Sequence, residues 1–230
     1  MAPLAAVFCD VGGPIYSDEN FVTAVLTALD GLRAADRRPP VDRGEFRQLY
    51  DRSRATQGSS LRGALAEAFL GDRGRRAELH EHTKRYWVHP VGTMYADVLP
   101  FLRSLGGRVR FGILANQEEG VIRALERDGV APFVDVWGVS AVVGHEKPST
   151  ELFRWCLDQA GVSAAQAVHI GNRLDTDVRP AHALGLGTVW LLRGEAPDDP
   201  TEEQLAEADI AVRSLDGLAP RLFQLIESRG

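Results

Sequence analysis

At 230 residues, with 44% hydrophobic and 25% charged positions and a net charge of −6, the chain has a globular composition that excludes disorder, collagen and coiled coil and points away from nucleic acid. Its apolar runs stop far short of the roughly 20 residues that cross a bilayer, and no basic, apolar and small-residue leader opens the chain. Two cysteines, Cys9 and Cys156, exclude a disulfide framework, and no Cys/His cluster has zinc spacing, so the expectation is a cytoplasmic protein with no membrane partner.

Residues 4–9 read LAAVFC and end at Asp10, the pattern of a strand buried on both faces. The GGP at Gly12, Gly13 and Pro14 then breaks the run. The next comparable run, 109–114, begins about a hundred residues later, too far for a simple crossover. The interval shows helical periodicity instead. Phe21, Val25, Leu29 and Leu32 form one stripe, Phe46, Leu49 and Tyr50 a second, and Leu61, Leu65, Phe69 and Leu70 a third. Leu79, Tyr86 and Trp87 suggest a fourth, and breaks fall at Pro39-Pro40, Gly58-Ser59-Ser60 and 71–74. A helical insertion over residues 17–90 is expected, within a core made of 1–16 and 91–230.

Beyond residue 98 the pattern alternates. Apolar runs at 109–114, 167–170 and 188–192, with weaker ones at 134–139 and 208–212, are separated by amphipathic stretches at 98–105, 118–128, 150–160 and 178–184. This predicts an α/β fold, a Rossmann-like parallel sheet with helices on both faces. The acidic stretch 195–203 reads as a surface loop.

Charge is unevenly placed. Residues 33–85 carry 13 Lys and Arg against 8 Asp and Glu, whereas the chain as a whole is acidic. A solvated helical surface explains this, and so does a small anionic ligand held against that segment. Of 26 basic residues only Lys84 and Lys147 are lysine, so an arginine-rich background alone would have placed arginine before Pro148.

In an open parallel sheet, ligands bind beyond the carboxyl ends of the strands. Asp10, Gly12 and Gly13 follow the first strand, Ala115, Asn116 and Gln117 the second; Lys147 lies beyond the third, and Asn172, Asp175 and Asp177 follow the fourth. Acids, one lysine, an amide pair and glycine turns would converge on one crevice, a layout suited to an anion and a metal.

In these residues the sequence resembles the haloacid dehalogenase superfamily, most of whose members are phosphatases. VFCDVGGPIY resembles its first motif, GILANQ its second, VVGHEKPSTELF its third and HIGNRLDTDVRPAHALG its fourth. Each alone is weak, and the ordered set of four is specific. The resemblance spans residues 4 to about 215 and makes the insertion a helical cap. It implies a hydrolase in which Asp10 is the nucleophile and Lys147 neutralises developing charge. It further implies that Asp10, the Gly12 carbonyl, Asn172 and Asp177 hold Mg²⁺. The Asn116 side chain and the turn amides at Gly12 and Gly13, beside Ala115, would bind phosphoryl oxygens.

Three positions depart from the pattern: Gly12 replaces a second Asp, the general acid; Ala115 replaces Ser or Thr; and Asn172 replaces Asp. Three functions stay open. One is a Mg²⁺-dependent hydrolase of a small phosphorylated or otherwise activated metabolite. Another is carbon–halogen hydrolysis, whose leaving halide needs no proton. The last is a non-catalytic binding or regulatory protein on the same scaffold. Cys9, His145 and His169 receive no role, His169 because no acid stands at a recognisable spacing from it.

Overall fold

The computed structural model describes residues 3–58 and 61–229. Ser59 and Ser60, part of one expected break between helices, lie outside the described residues. The chain divides into two compact units: Met1–Ser17 with Val91–Gly230, and Asp18–Pro90.

The first unit is built on six parallel strands: β1 (Ala6–Cys9), β2 (Arg110–Ala115), β3 (Val136–Val139), β4 (Ala167–Gly171), β5 (Gly187–Leu191) and β6 (Ile210–Val212). Their order is β3-β2-β1-β4-β5-β6, which places β1 at the centre and reverses the direction of winding beside it. β1 shows why a continuous apolar run is needed. Val7 and Cys9 face one apolar cluster and Ala6 and Phe8 the other, all four buried.

The second unit contributes four helices: α1 (Glu19–Ala35), α2 (Arg43–Thr56), α3 (Leu61–Leu65), which continues into a π-helical turn, and α4 (Arg76–Lys84). The remaining helices belong to the sheet: α5 (Val98–Leu105), α6 (Gly120–Arg127), α7 (Ser140–Val143), α8 (Thr150–Ala160), α9 (Arg179–Ala183), α10 (Glu202–Leu205) and α11 (Leu218–Ser228). The cluster holding Val7 and Cys9 takes Phe101 and Leu105 of α5, Leu125 of α6 and Leu222 of α11. The cluster holding Phe8 takes Leu152, Phe153 and Cys156 of α8 and Ala181 of α9. Helices therefore cover both faces, as the alternating pattern predicts.

In the helical unit the first three stripes close on one another, with Phe21, Val25, Leu29, Leu32, Phe46, Tyr50, Leu65 and Phe69 in one core. The fourth stripe is a helix face only in part, since Leu79 of α4 is buried in the same core. α4 stops at Lys84, Tyr86 is 46% exposed, and Trp87 packs edge-on against Phe21 with ring centroids 5.1 Å apart. Residues 195–203 are only partly a surface loop, since Ala196 is buried against Leu174, Val178 and Trp190. Among the described residues no helix is long and apolar enough to cross a membrane.

Candidate active site

β1 delivers Asp10. Its N–H donates to Ile170 O at 2.9 Å, one step past the Cys9–Ile170 pair, so the side chain stands where the central strand leaves the sheet. The Asp10 side chain is 15% exposed. Burial pushes its carboxyl up, to about 6, against the pull of Lys147 and with the push of the Asp177 charge.

Lys147 is buried and stands between two acids. Its Nζ donates to Asp177 Oδ1 at 2.5 Å and lies 3.1 Å from Asp10 Oδ1. Burial favours the neutral amine, but the two carboxylates outweigh it and hold Lys147 protonated above its ordinary range. One ammonium between two carboxylates leaves the group with a single net negative charge when Asp10 is ionised.

Asp177 is fully buried, and both its oxygens have protein donors. Oδ1 accepts from Lys147 Nζ and faces His169 Nε2 at 3.1 Å, while Oδ2 accepts from Arg173 N at 3.0 Å. Burial opposes its charge; Lys147 and the His169 hydrogen bond overcome that and keep the carboxyl well below the usual range. Close approach to the sheet depends on Gly171, where a Cβ would stand 2.2 Å from Asp177 Cγ. Asp177, which the resemblance makes a metal ligand, here anchors Lys147 and accepts three hydrogen bonds from protein donors.

Two of the residues expected to bind phosphoryl oxygens, Asn116 and Gly13, have protein partners of their own. The Asn116 side chain spends both ends on the backbone of Lys147, as donor to its O at 2.8 Å and acceptor from its N at 2.7 Å. It positions the lysine. Ala115 is fully buried in the apolar cluster and presents no polar group. The Gly13 N–H donates to Tyr16 O at 2.8 Å, so this amide closes the turn rather than facing a ligand. Gly13 has φ +81° and lies against Asn172, whose Nδ2 would be 1.9 Å from any Cβ there.

Two arginines escaped the sequence reading. Arg193, just beyond β5, donates from Nε to Gly13 O at 3.0 Å and from Nη2 to Pro14 O at 2.5 Å. Its Nη1 reaches Asp97 at 2.7 Å, and its guanidinium lies 3.9 Å from the Tyr95 ring centroid. The turn after Asp10 is thus stapled to a distant part of the same unit. Arg173 grips Asp175 through two bonds of 2.8 Å and reaches Glu195 at 3.4 Å, which fixes the turn that carries Asn172 and Asp177. In an arginine-rich chain neither residue stands out by type.

Asp10, the Gly12 carbonyl and the Asn172 amide oxygen are hard oxygen donors following the adjacent strands β1 and β4. By donor type they fit a hard divalent cation. They contain one carboxylate, and among the described residues no three His, Cys, Asp or Glu side chains group to hold a metal. The fit is to a weakly held ion.

The family model described as haloacid dehalogenase-like hydrolase matches residues 4–185. The chain is 33% identical to a glyceraldehyde 3-phosphate phosphatase of Methanocaldococcus jannaschii over 58% of its length, spanning about half (55%) of that relative. It is 30% identical to a phosphoglycolate phosphatase of Rhodospirillum rubrum, covering 84% of this chain and 80% of the other. The fold is shared with a HAD-hydrolase of Bacillus subtilis bound to magnesium, at TM-score 0.67 and 20% identity over 96% of this chain and 99% of that one.

Proposed function

The chain belongs to the haloacid dehalogenase-like hydrolase family, and from that premise we propose that it hydrolyses a small phosphorylated metabolite with a good leaving group, through covalent catalysis by Asp10. The observation that carries this reading is the buried ammonium of Lys147, held between Asp10 and Asp177.

The chemistry follows from the residues. A carboxylate oxygen of Asp10 attacks phosphorus, the bond from phosphorus to the leaving oxygen breaks, and an aspartyl phosphate forms. Water then attacks that phosphorus, releases inorganic phosphate and restores the Asp10 carboxylate. Burial strips water from Asp10, while the ammonium beside it keeps the group ionised near neutral pH. Lys147 has three donors: one goes to Asp177 and one to Asp10, and in this reading the third serves a phosphoryl oxygen. Asn116 and Asp177 position Lys147 through its backbone and its tip.

Mg²⁺, held by Asp10, the Gly12 carbonyl and Asn172, would supply charge neutralisation to the phosphoryl oxygens. No side chain at Gly12 protonates the leaving oxygen, so acyl and aryl phosphates suit the site better than alkyl esters. The helical unit, Asp18–Pro90, is the cap in this reading. A carboxylate whose ionisation burial opposes, set against a buried ammonium, favours a site kept for chemistry over a purely binding scaffold.

The test is turnover of acyl, aryl and alkyl phosphates and of haloacids, with and without Mg²⁺, beside Asp10→Asn. Phosphate release from acyl or aryl substrates, abolished in Asp10→Asn, supports the reading. Halide release alone, or no turnover of any substrate, would overturn it.

A further inference from the structure

His169 lies in the middle of β4, fully buried, in register with Phe8 of β1 and edge-on to Phe153 with ring centroids 5.2 Å apart. Its Nε2 is 3.1 Å from Asp177 Oδ1, the same oxygen that accepts from Lys147 Nζ at 2.5 Å. Its Nδ1 is buried and has no hydrogen-bond partner among the described residues. An ionised carboxylate only accepts, so the neutral ring must carry its proton on Nε2 and leave Nδ1 bare. A bare ring nitrogen in an apolar setting costs free energy, and packing alone would be served as well by Phe.

We propose that His169 is a positioning residue: by donating to Asp177 Oδ1 it shares that oxygen with Lys147 and leaves the ammonium directed to Asp10 and the transferred group. Without the imidazole, Asp177 Oδ1 has one donor where it now has two. The ion pair then tightens at the expense of the Lys147–Asp10 contact, and Lys147 turns from the nucleophile. The inference deepens the catalytic reading and rests on it for its kinetic consequence, though not for its geometry.

The experiment compares His169→Phe, which keeps the packing, with His169→Gln, whose amide restores a donor. On an acyl or aryl phosphate, His169→Phe should lower kcat about 10-fold with KM little changed, and His169→Gln should recover most of the loss. Independently of turnover, the ¹⁵N signal of the Lys147 ammonium, identified by its absence in Lys147→Met, should move in His169→Phe and return in His169→Gln. The wild-type His169 imidazole should show the Nε2–H tautomer, a measurement that needs no variant of that residue. A proton on Nδ1, a lysine signal indifferent to His169→Phe, or equal kinetic loss in Phe and Gln variants would each overturn the proposal. If the wild-type protein turns over no substrate, the catalytic reading falls while the two NMR measurements still decide this one.

Discussion

Asn116 and Lys147 stand 31 positions apart and are closed into a ring by two hydrogen bonds, with the side-chain amide of one donating to and accepting from the backbone of the other. The ring joins the end of β2 to the loop that carries the lysine, and so fixes where the ammonium begins its reach. Asn116→Ala should leave the protein folded and lower kcat about 10-fold or more, with a smaller change in KM. Asn116→Asp should be similarly impaired, because a second oxygen replaces the donor facing Lys147 O. Steady-state kinetics on one aryl phosphate checks both.

Asp10 should destabilise the protein it serves. Its carboxyl is raised from the ordinary 3.8 to about 6, so the folded state binds the proton more tightly than the unfolded chain. The associated stability is present below the ordinary value and lost as pH rises through about 6. Asp10→Asn removes that penalty and should be more stable than wild type at about pH 7 by on the order of 1–3 kcal/mol. The gap should shrink steadily toward about pH 4, as denaturant titrations across this range would show.

Gly12→Asp should restore a proton donor for the leaving group. The structure favours the substitution, since Gly13 and not Gly12 takes the left-handed conformation in this turn. Wild-type rates should fall steeply as the leaving group becomes more basic. Gly12→Asp should flatten that dependence, raising the slow alkyl esters by up to ~10²-fold. A folded variant with an unaltered slope would refute the assignment of this position.

Asn172→Asp should tighten Mg²⁺. The substitution adds a carboxylate beside Asp10 at the ends of adjacent strands, where the wild-type donor set has one. Calorimetry should show about 10-fold tighter binding at low ionic strength. Asp177→Asn, by contrast, should act through Lys147, lowering turnover far more than metal affinity, because both oxygens of Asp177 are already taken by protein donors.

How much of this was legible beforehand depended on distance along the chain. The buried runs identified β1, β2, β4 and β5, since a strand covered on both faces has no polar alternation to blur it. α11 escaped, although Leu218, Leu222 and Ile226 recur at helical spacing and lie in the main core. Asp10 and Lys147, read from type and place as converging on one crevice, stand 3.1 Å apart. Their supports were not legible: His169 meets Asp177 across a strand, a turn and eight positions, and no periodicity encodes such a meeting. Asn116 was read as a donor to ligand because its type is right, whereas its partner is a backbone whose position only the fold supplies. The resemblance made Asp177 a metal ligand, and only the fold shows that its oxygens also accept from Lys147, His169 and Arg173.

The arginine staple at residue 193 means that the motifs are not a self-sufficient module. The family match ends at residue 185, yet the carbonyls of Gly13 and Pro14, close after Asp10, are held by a side chain eight residues further on. That side chain is in turn braced by Asp97, which also receives Ser214 and Leu215. Transplanting the four motifs into another scaffold, or shortening this one to its recognisable part, would carry over Asp10 and Lys147 and leave the turn after Asp10 unmoored. The chain's last quarter is therefore part of the mechanical frame of the candidate site, and swaps between relatives belong at boundaries beyond residue 215.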